Sequence, residues 1–350
     1  MAEPVPVRAA TTRPQRPEDH LAPFPPVPST STSTAGTEQL NPSSKAPTQT
    51  ENGTAHCGEP NSSHNSPNDN NNLPPLPTVV ARIHARVQAF LAESHPKDSL
   101  LASVQRQTRI SLDVVATALK RYKLSELSVS YNGGKDCLVL LIIFLAGLHP
   151  SANSTNMNST SSSEETEPSS LSAQALAEAE AQIAAATSIP CIYALPPDPF
   201  DAVEDFVVTS AEAYHLSIMK YTTAPPTTTL RSSFEDYLSR NPGIKAIFVG
   251  TRRTDPHGAQ LTHFDRTDGG WPDFVRVHPV IDWHYAEIWA FIRHLDLRYC
   301  SLYDEGYTSL GGTSDTHPNP RLRQGADGQE KDYLPAYQLT EDMEERLGRN

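Results

Sequence analysis

The stretch Ser128–Phe144, SVSYNGGKDCLVLLIIF, restricts the fold more than any other part of the chain. A short strand-like run ends in Asn-Gly-Gly-Lys-Asp, and an apolar run follows from Cys137 to Leu148. That run falls short of the roughly 20 residues a membrane span needs, so it reads as a helix buried against a sheet. One glycine suffices for a turn. Two adjacent glycines between a buried strand and a buried helix let another group come very close to the backbone.

The rest of the folded part repeats the same alternation. Val80, Ile83, Val87, Phe90 and Leu91 recur at helical spacing, and a second helix is expected over residues 100–122. After the apolar helix come a strand at Ile189–Leu195, a helix at Asp198–Leu216 with Pro199 in its first turn, and a strand at Ser217–Thr222. A helix over residues 229–241 precedes a strand at Ile244–Arg253 that ends in a polar loop. Asp282–Leu295 reads as a helix with Asp282 as N-cap and Ile288, Trp289, Ile292 and Leu295 as core. Strands alternating with helices predict an α/β fold: a Rossmann-like parallel sheet with helices on both faces. Ligands of such sheets bind beyond the carboxyl ends of the strands. The Gly-Gly turn and the loop GTRRTDP both fall at that edge and are expected to share one cleft.

Composition divides the chain. Residues 1–78 are rich in Pro, Ser, Thr and Asn and have too little apolar surface to offset their ordering entropy, so disorder is expected there. A second low-complexity run, His149–Ser170, continues into an Ala-rich helical segment and makes an insertion over about residues 149–188. One folded domain, 79–350, remains. The N-terminus lacks a signal-peptide core. Arg8, Arg13 and Arg16 are outweighed as a mitochondrial presequence by Glu3, Glu18, Asp19 and early prolines. Cys57, Cys137, Cys191 and Cys300 are scattered, which fits a reducing, cytoplasmic setting. No HxxxH or HExxH spacing occurs among the histidines, which argues against a zinc site. A net charge of -13 argues against nucleic-acid partners held by counterion release, and no membrane partner is expected.

Asn132, Gly133, Gly134, Lys135 and Asp136 stand where backbone N–H groups and a helix N-terminus cradle phosphate. The loop is neither a Walker A motif, because Asp136 replaces the Ser or Thr after the lysine, nor GxGxxG. Its bland reading is a tight βα turn with Asp136 favourable in the first helical turn. Beside a phosphate, however, an aspartate calls for a cation, and Mg²⁺ suits it. GTRRTDP carries Arg252, Arg253 and Asp255, either as a charged surface loop or as a site at a strand end. Further on lie Asp265, Arg266, Asp268, Trp271 and Arg276. Trp271 either stacks on a planar ring or anchors core. Arg346 and Arg349 in the ending EERLGRN read, alone, as a solvated terminus.

Together, SYNGGKDCLVLL, GTRRTDP, GWPDFVRVHPVIDWHYAEIWAFIR, YCSLYDEGYTSLGG, PNPRL and the ERxGR ending resemble the eukaryotic, fungal-type FAD synthase (FMN adenylyltransferase) family of the PP-loop, PAPS-reductase-like superfamily. The resemblance runs from about Leu101 to the C-terminus, minus the insertion. It implies ATP and FMN as substrates, FAD as product and Mg²⁺ as cofactor, with transient contact with apoflavoproteins as a further expectation. Ser130, Gly133, Gly134, Lys135 and Arg252 would bind ATP. Asn132 and Asp136 would act on the phosphates, Asp136 as metal ligand. Asp255, Asp268, Trp271 and Arg276 would face the flavin, and Arg346 and Arg349 would fold back onto the phosphates. Rival readings are a PAPS-reductase-type oxidoreductase or another PP-loop ATP pyrophosphatase, such as a tRNA thiolase, and an inactive nucleotide-binding homologue. The first needs a reactive thiol in a C-terminal Glu-Cys-Gly context, the thiolase wants paired cysteines and a basic face, and the last predicts loss of Asn132, Asp136 or the arginines.

Overall fold

The structure is a computed structural model describing residues 73–153, 170–324 and 333–349. The expected disorder of the N-terminal region and most of His149–Ser170 lie outside the described residues. Two helices come first, α1 (Leu76–Leu91) and α2 (Leu100–Arg121), and the Ser99 hydroxyl caps the second by accepting from Ala102 N. Strand β1 (Leu127–Ser130) leads through the Gly-Gly turn into α3 (Lys135–Leu148), in which every residue from Leu138 onward is buried. Within the insertion, α4 (Ser170–Ala185) realises the Ala-rich helix. Then follow β2 (Ile189–Leu195), α5 (Asp201–Ala213), β3 (Leu216–Thr222), α6 (Leu230–Arg240), β4 (Ala246–Phe248), β5 (Phe264–Arg266), β6 (Val275–Val277) and α7 (Tyr285–His294).

The strands form one six-stranded sheet in the order β3-β2-β1-β4-β6-β5, parallel except for the β5–β6 hairpin. The chain moves outward from β1 to β2 and β3, then returns to lay β4 on the other side of β1. The loops leaving β1 and β4 therefore diverge, and such a switch point opens a crevice at the carboxyl edge. On one face of the sheet, Val129, Cys191, Phe248 and Val277 join a continuous core with apolar residues of α1, α2, α3, α5 and α7. The opposite face, with Ile192, Ile247 and Phe274, is covered by Phe234 and Tyr237 of α6. Among the described residues no helix is long and apolar enough to cross a membrane.

Several boundaries differ from the sequence reading, each for a tertiary reason. The strand expected at Ile244–Arg253 pairs only over Ala246–Phe248, because Gly250 draws the chain against the start of α3. A Cβ on Gly250 would lie 2.9 Å from Cys137 Sγ and 3.1 Å from Cys137 N. Pro199 precedes α5 rather than opening it. Asp198 is held by a downstream loop, accepting from Ser314 N at 2.7 Å and Thr313 Oγ1 at 3.1 Å. His284, not Asp282, is the N-cap residue of α7, and its N–H donates to Glu287 Oε2 at 2.9 Å. Asp282 instead accepts from Arg253 Nε at 2.6 Å, which latches the GTRRTDP loop. The hairpin β5–β6 was not anticipated: its three-residue strands are too short to show an alternating pattern.

Candidate active site

Gly133 sits at φ +74°, the left-handed region, where a side chain is strained, and a Cβ there would lie 2.9 Å from Val207 Cγ2 of α5. Both properties keep the turn after β1 tight against α5. Asn132 Oδ1 accepts from Gly134 N at 3.0 Å, and Tyr303 Oη accepts from Lys135 N at 2.9 Å. Two backbone donors that the sequence reading reserved for phosphate thus already hold protein acceptors, as orphan N–H groups at a helix start tend to. A phosphate entering here must exchange with them.

The Lys135 ammonium is buried and lies between two carboxylates, 2.9 Å from Asp136 Oδ2 and hydrogen-bonded to Glu345 Oε1. Arg252, fully buried, gathers four carboxylates. Its Nε is 2.8 Å from Asp136 Oδ1, its Nη1 3.4 Å from Asp342 Oδ1 and its Nη2 3.7 Å from Asp255 Oδ1, while Nη2 also pairs with Glu345 Oε2. One carboxylate, Glu345, therefore joins the lysine of the first loop to the arginine of the second. The two loops do share one cleft, and the C-terminal tail closes it. Burial alone would lift the Asp136 pKa, but the Arg252 guanidinium and the Lys135 ammonium overcome it and hold the carboxyl below its ordinary value. Burial opposes the charge of Lys135 and Arg252, yet the surrounding carboxylates raise both.

The tail is fastened along its length. Asp342 accepts from Tyr285 N at 2.6 Å and lies 2.6 Å from His284 Nδ1, which raises the His284 pKa through that hydrogen bond. Thr308 Oγ1 donates to Glu345 O at 2.6 Å, and Asn319 Nδ2 donates to both Thr308 Oγ1 and Glu344 O at 2.8 Å. Arg349 donates to Leu310 O and to Asp315 Oδ2, each at 3.0 Å. Arg346 is exposed, one residue beyond buried Glu345. The solvated-terminus reading fails for Arg349, whose side chain is bound into the fold.

The residues expected on the flavin side divide. Asp255 belongs to the Arg252 cluster and also caps its own loop, accepting from Arg252 N at 2.8 Å. Arg276 lies on β6 opposite Asp265 of β5, and its Nε is buried without a hydrogen-bond acceptor among the described residues. Asp268 and Trp271 occupy the tip of the hairpin, with Trp271 N donating to Asp268 O at 3.0 Å. Trp271 is 38% exposed and its ring meets Phe234 edge to face at 6.0 Å, so it is not a core anchor. Ser130 ends β1 partly exposed at the same edge.

The sequence reading assigned no role to Glu345, Asp342, Tyr303, Thr308 or Asn319. For four of them the signal was available, since Glu345 is the first residue of ERxGR and Tyr303, Thr308 and Asn319 fall within SLYDEGYTSLGG and PNPRL, whereas Asp342 lies in no quoted motif. Burial pushes the Cys137 thiol up to about 12 and Cys300 up to about 11, and it raises Cys191 as well. None of the three described thiols is poised as a thiolate nucleophile, which removes the basis for thiol-based reduction among the described residues.

Residues 126–318 match the family model described as phosphoadenosine phosphosulfate reductase domain, which sets the class of this α/β unit. The chain is 35% identical to the probable FAD synthase of Schizosaccharomyces pombe over 271 residues, covering 77% of this chain and 89% of that relative. It is 31% identical to the flavin adenine dinucleotide synthase of Saccharomyces cerevisiae over 239 residues, 65% of this chain and 70% of the relative. The Candida glabrata FMN adenylyltransferase, solved in complex with FMN and the ATP analogue AMPCPP, superimposes with a TM-score of 0.66 at 26% identity, over 79% of this chain and 97% of that one. The chain belongs to the FAD synthase family and is a nucleotidyltransferase.

Proposed function

We propose that the cleft between the β1 and β4 loops joins the adenylyl group of ATP to FMN, giving FAD and pyrophosphate. The observation that carries this reading is the buried cluster of Lys135, Asp136, Arg252 and Glu345 at the switch point. The attacking group would be an FMN phosphate oxygen, already anionic near neutral pH because the second pKa of a phosphate monoester is about 6. No Ser, Cys or His activator is then needed. Positioning and charge neutralisation carry the reaction, as in phosphoryl transfer generally.

Asn132, Gly133 and Gly134 would meet the ATP phosphates by exchanging the loop's internal hydrogen bonds for bonds to phosphate oxygens. Ser130, Lys135 and Arg252 would flank them. Asp255, Asp268, Trp271 and Arg276 would receive FMN, and the buried Arg276 Nε is a donor suited to a flavin or phosphate acceptor. Arg346 and Arg349 would serve the phosphates from the tail. The residues fit Mg²⁺: four carboxylates surround the permanent cations Lys135 and Arg252, leaving negative charge and hard oxygen donors. Asp136 would hold the ion together with substrate phosphate, and the bound ion would supply neutralisation of phosphate charge. A cytoplasmic setting belongs to the same reading and is supported by free thiols at the described cysteines.

The test is FAD formation from ATP and FMN by the full chain, with binding of each substrate followed calorimetrically. Asp136→Ala is expected to lower kcat by about 10²–10³ with FMN affinity little changed, the cost of removing a transition-state charge contact. Truncating after Leu339 would also remove Glu345 and Asp342, so Arg346→Ala, at an exposed side chain, isolates the tail's cationic role. Wild-type turnover by Asp136→Ala, or FMN binding without FAD production by the unmodified chain, would overturn the reading.

A further inference from the structure

Away from the cleft, Glu93, His95 and His294 direct ligand atoms at one point, all within 4.8 Å of one another. Glu93 and His95 lie in the connection between α1 and α2, and His294 is the last residue of α7. Glu93 Oε2 is 3.0 Å from His95 Nε2 and 2.7 Å from His294 Nε2, and all three side chains are less than one-fifth exposed.

The surroundings hold this geometry in place. Gln105 of α2, itself buried, donates to Phe90 O at 2.7 Å and Glu93 O at 2.9 Å, which fixes the backbone of the connection. The buried Phe90 ring packs against both imidazoles, at 6.4 Å from His95 and 5.0 Å from His294. The site also sits at the carboxyl end of α7, where the helix dipole favours a cation. At about 1.5 Å per residue, the ten residues of α7 separate it by roughly 15 Å from Tyr285, which meets the tail at the other end.

We propose that Glu93, His95 and His294 form a binding site for a divalent ion of the Zn²⁺ class. Zinc bonds of about 2.0–2.2 Å to nitrogen and oxygen place tetrahedral ligand atoms roughly 3.3 Å apart, so a small rotamer adjustment completes the geometry. Two imidazoles and one carboxylate suit Zn²⁺ and disfavour Mg²⁺ or Ca²⁺, which prefer all-oxygen shells. Three protein ligands leave a fourth position for water. The ion would tie the α1–α2 connection to the end of α7. Motif spacing did not reveal the site, because its third ligand comes from a distant part of the chain.

The test uses the full chain, stripped by chelator and desalted. Co²⁺ is titrated as a spectroscopic probe and then displaced by Zn²⁺. Wild type is expected to develop visible d–d absorption at one ion per chain. His95→Asn and His294→Gln should each weaken binding at least about tenfold, since even outer-shell changes cost that much. Far-UV circular dichroism without metal checks the fold. Should His294→Gln fail to fold, His95→Asn, in the interhelical connection, decides. Wild-type affinity in a folded variant, or absence of the absorption band in the unmodified chain, overturns the site. FAD formation with Mg²⁺ should stay at the wild-type level in His95→Asn, which separates this result from any failure at the cleft.

Discussion

Two arginines, one in the loop past β4 and one on the neighbouring strand β6, meet opposite surroundings. Arg252, just past β4, is fully buried and has carboxylates on every side. Arg276, on β6, is half-buried and leaves its Nε without an acceptor among the described residues. The first region is paired by charge within the fold, although Arg252 Nε and Asp136 Oδ1, 2.8 Å apart, are not aligned as a hydrogen bond, and it resembles a folding element as much as a site. The second keeps a donor in reserve and ends in an exposed hairpin tip. A buried charge is tolerated only when paired, so the Arg252 cluster holds its tail in place before any substrate arrives. An underused donor on a strand that follows a hairpin tip with an exposed indole is instead the kind of surface that a ligand completes.

The largest effect is expected on the paired side. Glu345→Ala removes a buried carboxylate that both Lys135 and Arg252 contact and unties the tail from the two loops. Breaking such a buried pair costs about 3–5 kcal/mol, measurable as a lower urea midpoint. An unchanged midpoint would show that Asp136 and Asp342 suffice and that the tail is not a structural element.

Next comes a pH effect at the buried root of the hairpin. His278 is buried, and desolvation, only partly opposed by Asp265, holds its pKa down to about 4 from an ordinary 6.5. Its folded pKa is depressed, so between those values the unfolded chain binds the extra proton. Stability must fall as pH drops from about 6.5 toward 4, by roughly 3 kcal/mol over the full window at 1.36 kcal/mol per pKa unit. His278→Asn should remove that slope while leaving the steeper acid loss from the carboxylates. A variant with the wild-type pH profile would mean that the proton enters without cost.

The smallest stability effect belongs to the hairpin tip. Trp271→Ala gives up one edge-to-face contact with Phe234, worth about 0.5–1.5 kcal/mol. It should leave the melting temperature nearly unchanged and raise the KM for FMN while that for ATP stays constant. A shift in the ATP KM instead would place the hairpin on the nucleotide side and undo the contrast with Arg252.

By itself the sequence determined what depends on neighbouring residues. The apolar run after Asn-Gly-Gly-Lys-Asp dictated a buried helix, and Ile288, Trp289, Ile292 and Leu295 fall in the core as their helical spacing required. The alternation of strands and helices dictated a parallel sheet, and hence that the Gly-Gly turn and GTRRTDP meet at one edge. The quoted motifs also carried the family. Tertiary structure alone decided which partners the charges take. Lys135 and Arg252, chosen as phosphate contacts, are held by Glu345 from the far end of the chain. Asp282, a natural cap by its position, is drawn off to Arg253, and Glu93 and His95 meet His294. Periodicity and turn chemistry act over a few residues and can be read along the chain. An ion pair or a ligand set between distant segments depends on the path between them, which packing of the whole core determines.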